Sequence, residues 1–322
     1  MTFFESLNNA WATFSKEGTC SYKIGPFIIH ISSNCQGLLK TLTRAFAHLA
    51  PDTASPDLTI RLWHGQKLPS LDWNLIQTNG YRGYRDPPFY FHYFETIGAL
   101  SAVDTERNIA YYVIRDLPSL PWWVSGSPLQ VILHVWMREK GLQLTHCASI
   151  ANKKSAILLA GKGGSGKSTT LLSCLQEGFD TLGEDYLLLG PDRIYTVYQT
   201  AKWTPQTCRL FPSYEPHIAN PRVAYQEKAL IYYKDIFPSQ IAFSSRPHAI
   251  VSLSIGPSLH LEKGDLRSSL QSLLLSTAMQ LPHPDPRTTA LLHAFAKPLD
   301  HYRLTLGPDL KENVALLRSL FL

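Results

Sequence analysis

Residues 161–168, Gly161-Lys162-Gly163-Gly164-Ser165-Gly166-Lys167-Ser168, restrict the fold more than any other stretch of this chain. They match GxxxxGK[ST] in full. Backbone N–H groups converge on an oxyanion only where no Cβ blocks the approach and positive φ is accessible, so glycines belong there. The apolar run SAILLA at 155–160 reads as a short buried strand, and 168–176 as a helix stopped at Gly178. A helix beginning at the loop aims its unpaired N–H groups and positive dipole end at the same anion, with Thr169 in its first turn. The pattern predicts a site for nucleotide phosphates. Lys167 would bridge the outer phosphates, and the Ser168 hydroxyl would ligate Mg²⁺. Lys162 either touches phosphate or faces solvent. A plain flexible glycine turn is the bland alternative, and the flanking strand and helix argue against it.

Glu184 and Asp185 follow soon after. Residues 179–182 read as a second short strand. A right-handed crossover from the first strand would make the two parallel, ending at one sheet edge. That would bring the carboxylates beside the phosphates, where Mg²⁺ takes one or two of them as hard oxygen ligands. Adjacent side chains on extended backbone point opposite ways. One acid would then serve the metal and the other accept a hydroxyl proton. The residues alone do not assign which.

The rest of the chain reads as ordered. Residues 3–11 suit an amphipathic helix using Phe3, Phe4, Leu7 and Trp11. Strands are expected at 22–31 and 58–63, a helix at 36–49, and a hairpin over 97–114. Ser127, Pro128 and Gln130 suggest a capped helix start. Residues 186–189 and 194–197 would pair across Gly190-Pro191-Asp192. Asp265 and Asp309 would cap helices, Pro282, Pro284 and Pro286 would break one, and 249–255 and 301–306 read as strands. Phe89 to Phe94 and Trp122-Trp123 suit a packed sheet face better than a peptide-binding surface. A boundary near Pro118–Pro121 divides a β-rich region, 1–118, from a catalytic domain, 119–322.

Composition excludes several classes. No apolar run reaches the roughly 18 residues of a membrane span, and the N-terminus lacks a secretory pattern. Five scattered cysteines without a CxxC pair argue against a zinc site and fit a reducing, cytoplasmic setting. A net charge of +5 without a basic run gives no reason to expect nucleic acid.

The stretch 145–185, THCASIANKKSAILLAGKGGSGKSTTLLSCLQEGFDTLGED, resembles the core of the HPr kinase/phosphorylase family. The matching features are His146, residues 161–168, Gly178 and Glu184-Asp185. Arg209-Leu210-Phe211-Pro212 and Lys228-Ala229-Leu230-Ile231 resemble elements of the shorter, peptide-modifying relatives, some of which phosphorylate lasso peptide precursors. The resemblance implies an α/β fold with a phosphate-loop kinase core related to phosphoenolpyruvate carboxykinase. It also implies ATP- and Mg²⁺-dependent phosphorylation of a serine-type hydroxyl on a peptide or small protein. His146 would tune the proton affinity of an acid, and Arg209 and Lys228 would neutralise phosphate charge. Two departures stand out. The acid pair is Glu-Asp rather than Asp-Asp, and the glycine-rich signature that follows the acids in true HPr kinases is absent. The longer Glu would shift the base or metal geometry, and the missing signature speaks against HPr as acceptor and against a reverse phosphorylase reaction. A small-molecule hydroxyl kinase and a non-catalytic nucleotide sensor are the alternatives. Oligomeric state is left open.

Overall fold

The computed structural model describes residues 3–65, 81–118, 120–283 and 285–321. The chain is mixed α/β, with several sheets, two of them carrying both parallel and antiparallel pairs. It divides into two compact units, Met1–Lys140 with Leu281–His283 and Gly141–Gln280 with Pro284–Leu322.

In the first unit seven strands form one sheet, in the order Gly18–Ile24, Phe27–Ser33, Leu58–His64, Ile109–Ile114, Ala99–Asp104, Phe89–Phe94 and Tyr81–Asp86. The central pairs, Phe27–Ser33 with Leu58–His64 and Leu58–His64 with Ile109–Ile114, are parallel. Helix Phe3–Ala12 buries Phe4, Leu7 and Trp11 in a cluster with Trp63, Leu100, Ala102, Tyr111 and Val113. This is the amphipathic face that the sequence predicts. The expected 97–114 hairpin is present as Ala99–Asp104 and Ile109–Ile114.

Three local expectations in this unit are corrected. The strand expected at 22–31 is a hairpin, because Gly25 takes φ 60° and turns the chain between Ile24 and Phe27. The helix expected over 36–49 is α-helical only over Gln36–Thr43 and then tightens to a 3₁₀ turn, Arg44–Phe46. Ser127 does not cap the next helix. A short helix, Trp122–Gly126, ends there, and Gln130–Glu139 starts after Leu129, whose φ of 58° resets the chain direction.

The second unit centres on a five-stranded sheet, in the order His260–Lys263, Asp300–Leu306, Pro247–Ile255, Ala156–Ala160 and Ala148–Ala151. The inner three strands are parallel and both edge strands run antiparallel to them. Ala156–Ala160 alternates strictly between two cores. Ile157 and Leu159 join Leu171, Leu172, Leu175, Val314 and Leu317 from helices Lys167–Gln176 and Leu310–Ser319. Ala156, Leu158 and Ala160 join Leu273, Leu292 and Phe295 from helices Leu266–Ala278 and Pro286–Ala296. With both faces covered, this strand has no solvent side, which is why it reads as an unbroken apolar run. A four-stranded sheet (Ser244–Ser245, Ile194–Tyr195, Leu187–Leu189, Gln143–Thr145) and a two-stranded one (Thr200–Trp203 with Ala229–Tyr232) complete the unit.

Asp265 and Asp309 cap their helices as expected. Helix Leu266–Ala278 ends ahead of Pro282 as expected, and Pro286 opens the next helix, in the first turn after Asp285. Pro284 lies outside the described residues. No described helix is long and apolar enough to cross a membrane.

The expected strand at 179–182 is also corrected. Only isolated bridges form there, Asp180 antiparallel to Ala151 and Thr181 parallel to Ile241. Asp180 and Ala151 exchange backbone bonds at 2.7 and 2.9 Å, and side chains reinforce this short pairing: the Ser149 hydroxyl accepts from the Leu182 amide at 3.0 Å, and the Thr181 hydroxyl donates to the Ser149 carbonyl at 2.8 Å. This segment is separated from Ala156–Ala160 by the edge strand Ala148–Ala151. Because it is antiparallel to that strand, as Ala156–Ala160 is, it runs in the same direction as Ala156–Ala160.

Candidate active site

Three glycines with positive φ turn the loop between Ala156–Ala160 and Lys167–Gln176, Gly161, Gly164 (φ 80°) and Gly166, and two of them are also closely packed. Gly161 has φ 146°, and a Cβ there would lie 2.5 Å from Ser165 Oγ. Gly166 has φ 95°, and a Cβ there would lie 2.6 Å from Leu306 Cδ1. Gly163 and Gly164 are not packed in this way: Cβ positions on them meet nothing within 4 Å, so this side of the loop is open. Ser165 is buried and its Oγ has no hydrogen-bond partner. Lys167 folds its ammonium back to the loop, 2.6 Å from the Gly161 carbonyl oxygen and 3.2 Å from that of Lys162. Burial lowers its pKa, and the nearby Lys228 charge acts the same way, while Cys147, Glu184 and Asp185 oppose the shift. Lys162 is exposed. The Thr169 hydroxyl contacts that of Thr207 at 3.2 Å.

The acids follow Gly183, whose φ of 143° disfavours a side chain and where a Cβ would crowd the Tyr198 carbonyl oxygen at 3.1 Å. The next two residues turn tightly. The Tyr186 amide donates to the Glu184 carbonyl at 2.9 Å, and Asp185 between them has φ 75°. An i to i+2 bond across a residue at that φ is the rare, strained γ-turn. Non-glycine residues persist in this region only where the surroundings hold them. The turn sends the two carboxylates to different partners.

Glu184, 4% exposed, accepts from Ser168 Oγ at 2.5 Å through Oε1, and from the Tyr233 hydroxyl through Oε2. Burial raises its pKa and the two hydrogen bonds oppose the rise. Burial and the adjoining carboxylate hold the Tyr233 phenol far above its usual range, so it stays a donor. Asp185 Oδ2 lies 2.7 Å from Lys202 Nζ, and Oδ1 lies 3.2 Å from His146 Nε2. Burial works to raise the Asp185 pKa, but Lys202 and His146 outweigh it and hold the carboxyl well below the usual carboxylate range. His146 is fixed at its backbone: its amide donates to Thr277 Oγ1 at 3.2 Å and its carbonyl accepts from Ser276 Oγ at 3.0 Å. Its Nδ1 is buried without a partner.

The fold thus gathers His146, the loop 161–168, Glu184 and Asp185 in one place. Of the two further cations considered, Lys228 is exposed and close enough for its charge to act on Lys167. Arg209 is exposed near Tyr225, whose hydroxyl bonds Glu215 at 2.8 Å. Lys202, Tyr233 and Thr207 escape sequence reasoning. Lys202 sits between buried Ala201 and Trp203 in the four-residue strand Thr200–Trp203, which is too short and too uniformly buried to carry a pattern that marks it. Tyr233 ends an apolar run and reads as ordinary core.

Chemically, the arrangement offers an open glycine turn and a helix start to an anion. It also offers two hard oxygens in contact, Ser168 Oγ and Glu184 Oε1. Among the described residues no group of three His, Cys, Asp or Glu could hold a metal by itself. A hard cation here would draw on ligand oxygens as well, as Mg²⁺ does with phosphates.

No protein-family model matches the chain, and no curated protein does. Among solved structures, the HPr(Ser) kinase/phosphatase from Coxiella burnetii matches with 11% identity over 56% of this chain and 93% of that one, at a TM-score of 0.30. That is a weak likeness at the level of fold.

Proposed function

We propose that this protein is an ATP- and Mg²⁺-dependent phosphotransferase that passes the γ-phosphate to a serine-type hydroxyl of a peptide or small protein. The observation that carries this reading is the contact between Ser168 and Glu184. It joins the last residue of the glycine motif to the first acid and leaves the second acid, Asp185, on separate partners.

The residues present fit the nucleotide and its metal. The open side at Gly163 and Gly164 and the unpartnered Ser165 hydroxyl suit a phosphate cradle. Ser168 and Glu184 supply hard oxygens for Mg²⁺, which when bound would neutralise phosphate charge. Lys167 exchanges its loop carbonyls for the outer phosphates and polarises them. Asp185 accepts the proton of the acceptor hydroxyl. The hydroxyl oxygen then forms its bond to the γ-phosphorus as the bond to the β–γ bridging oxygen breaks and ADP leaves with that electron pair. His146 holds Asp185 from one side and Lys202 from the other, so the carboxylate stays ionised and aimed. Lys228 adds positive charge near the phosphates.

Calorimetric titration with ATP and Mg²⁺ tests the binding half of this reading. The wild-type protein binds in a Mg²⁺-dependent manner, and Lys167→Ala weakens binding at least about 10-fold, as loss of a charge-assisted phosphate contact requires. Equal affinity in the two proteins would rule the loop out as the phosphate site.

A further inference from the structure

Glu184 is gripped at both ends. One carboxylate oxygen meets the Ser168 hydroxyl and the other the Tyr233 phenol. Tyr233 is itself closely held. It is fully buried, its amide donates to the Gln199 carbonyl at 2.7 Å, and its own carbonyl accepts from the Phe237 amide at 2.6 Å. The Trp203 and Phe237 rings pack beside it, with centroids 6.5 and 6.2 Å away. The strand pair Thr200–Trp203 and Ala229–Tyr232 delivers it to this place.

We propose that Tyr233 is the positioning residue of the metal-side carboxylate: by occupying Oε2 it leaves Oε1 alone to face the Ser168 side, and so selects Mg²⁺ over Ca²⁺. The inference rests on the reading of Ser168 and Glu184 as metal ligands. A carboxylate tied through one oxygen offers the other as a single ligand, which suits the strict octahedron of Mg²⁺. A carboxylate free to rotate offers both oxygens, and two-oxygen coordination at longer distance is what Ca²⁺ accepts and Mg²⁺ does not. Partners one step removed from a metal ligand commonly change affinity by about 10-fold to 100-fold. Tyr233 is such a partner, and no sequence motif marks it.

The test is competition for bound Mn²⁺, read by electron paramagnetic resonance on the full chain with a non-hydrolysable ATP analogue. Mg²⁺ and Ca²⁺ are titrated separately against it. In the wild type, Mg²⁺ displaces Mn²⁺ at lower concentration than Ca²⁺. In Tyr233→Phe, which keeps the volume and removes the hydroxyl, Mg²⁺ competes about 10-fold less well while Ca²⁺ is unchanged or better. Replacement of Tyr233 by 3-fluorotyrosine, which keeps the hydroxyl, retains the wild-type ratio and shows that the packing is not at issue. An unchanged Mg²⁺ to Ca²⁺ ratio in Tyr233→Phe, with Mn²⁺ binding lost in Glu184→Gln, overturns the role of Tyr233 alone. Mn²⁺ binding that survives both Glu184→Gln and Ser168→Ala overturns the metal-site reading beneath it.

Discussion

Lys202 places its ammonium 2.7 Å from Asp185 Oδ2 while His146 holds the other carboxylate oxygen at 3.2 Å. All three side chains are largely buried. Removing one partner of a buried pair leaves an uncompensated charge and costs about 3–5 kcal/mol. Lys202→Met therefore destabilises the protein by about 3 kcal/mol in urea unfolding at pH 7. The double variant Lys202→Met/Asp185→Asn loses less than the sum of the two single changes.

The pH dependence of that loss has a definite sign. The folded Asp185 pKa lies below its unfolded value of about 4, so the unfolded chain takes up protons first as pH falls. The stabilisation is fully present above pH about 4 and disappears only as pH drops toward the folded value. In Lys202→Met the lysine no longer opposes the burial that raises the Asp185 pKa, so the folded variant takes up a proton more readily than the wild type and its deficit is smaller at pH 5 than at pH 7. A deficit identical at those two points would mean that this lysine is not what holds Asp185 ionised.

In the first unit His92 provides the opposite case. Burial lowers its pKa from 6.5 to about 4, so the folded state carries it neutral. Between those values the unfolded chain binds more protons, and stability rises with pH. Falling from pH 7 to pH 4 costs up to about 3 kcal/mol through this residue. Denaturation midpoints at pH 7, 5.5 and 4.5 should show a flatter acid side in His92→Leu than in the wild type.

Gly183 stands directly before the acids at φ 143°, and a Cβ on it would lie 3.1 Å from the Tyr198 carbonyl oxygen. Gly183→Ala should cost about 1–3 kcal/mol. Because Glu184 and Asp185 hang from this point, it should also lower transfer activity by more than its effect on ATP affinity. Gly163→Ala is the control. Its Cβ meets nothing, so stability hardly changes, and ATP affinity falls instead because the new methyl occupies the open side of the loop.

The two acids should fail differently when neutralised. Glu184→Gln keeps the shape but loses the metal-side charge, so the Mg²⁺ concentration needed for activity rises steeply. Asp185→Asn leaves nucleotide and metal binding near wild type and lowers kcat by at least about 100-fold, the scale of a lost general base. Steady-state kinetics over a Mg²⁺ series separates the two outcomes.

The loop was legible because its chemistry is written in consecutive residues: glycines where φ is positive, a lysine and a serine at the helix start. The direction of the segment leading to Glu184 followed from the helix that precedes it. The pairing did not, because an edge strand lies between and the segment joins that strand only by an isolated bridge, reinforced by side-chain bonds of Ser149 and Thr181. The splaying of the acids was also hidden. It depends on the γ-turn at Asp185, which nothing in Gly-Glu-Asp-Tyr announces. Lys202 and Tyr233 were illegible for a different reason. Each is distant in sequence, and each would serve equally well as surface cation or core aromatic until the strand pair carrying them is placed beside the acids. In the first unit the miss at Ser127 has the same origin: Leu129 takes a left-handed conformation that its side chain does not favour.

The central claim is transfer of phosphate, and the most direct measurement follows the γ-phosphate itself. Radiolabelled ATP and Mg²⁺ are incubated with serine-containing peptides, free serine, sugars and an HPr-type protein. Labelled products are then identified by mass. The account predicts a phosphoserine peptide in the wild-type reaction, and none with Lys167→Ala or with the double variant Glu184→Gln/Asp185→Asn. Label appearing on free serine or a sugar would contradict the peptide acceptor. Tight ATP binding with no labelled acceptor of any class would contradict transfer altogether and leave a nucleotide-binding sensor.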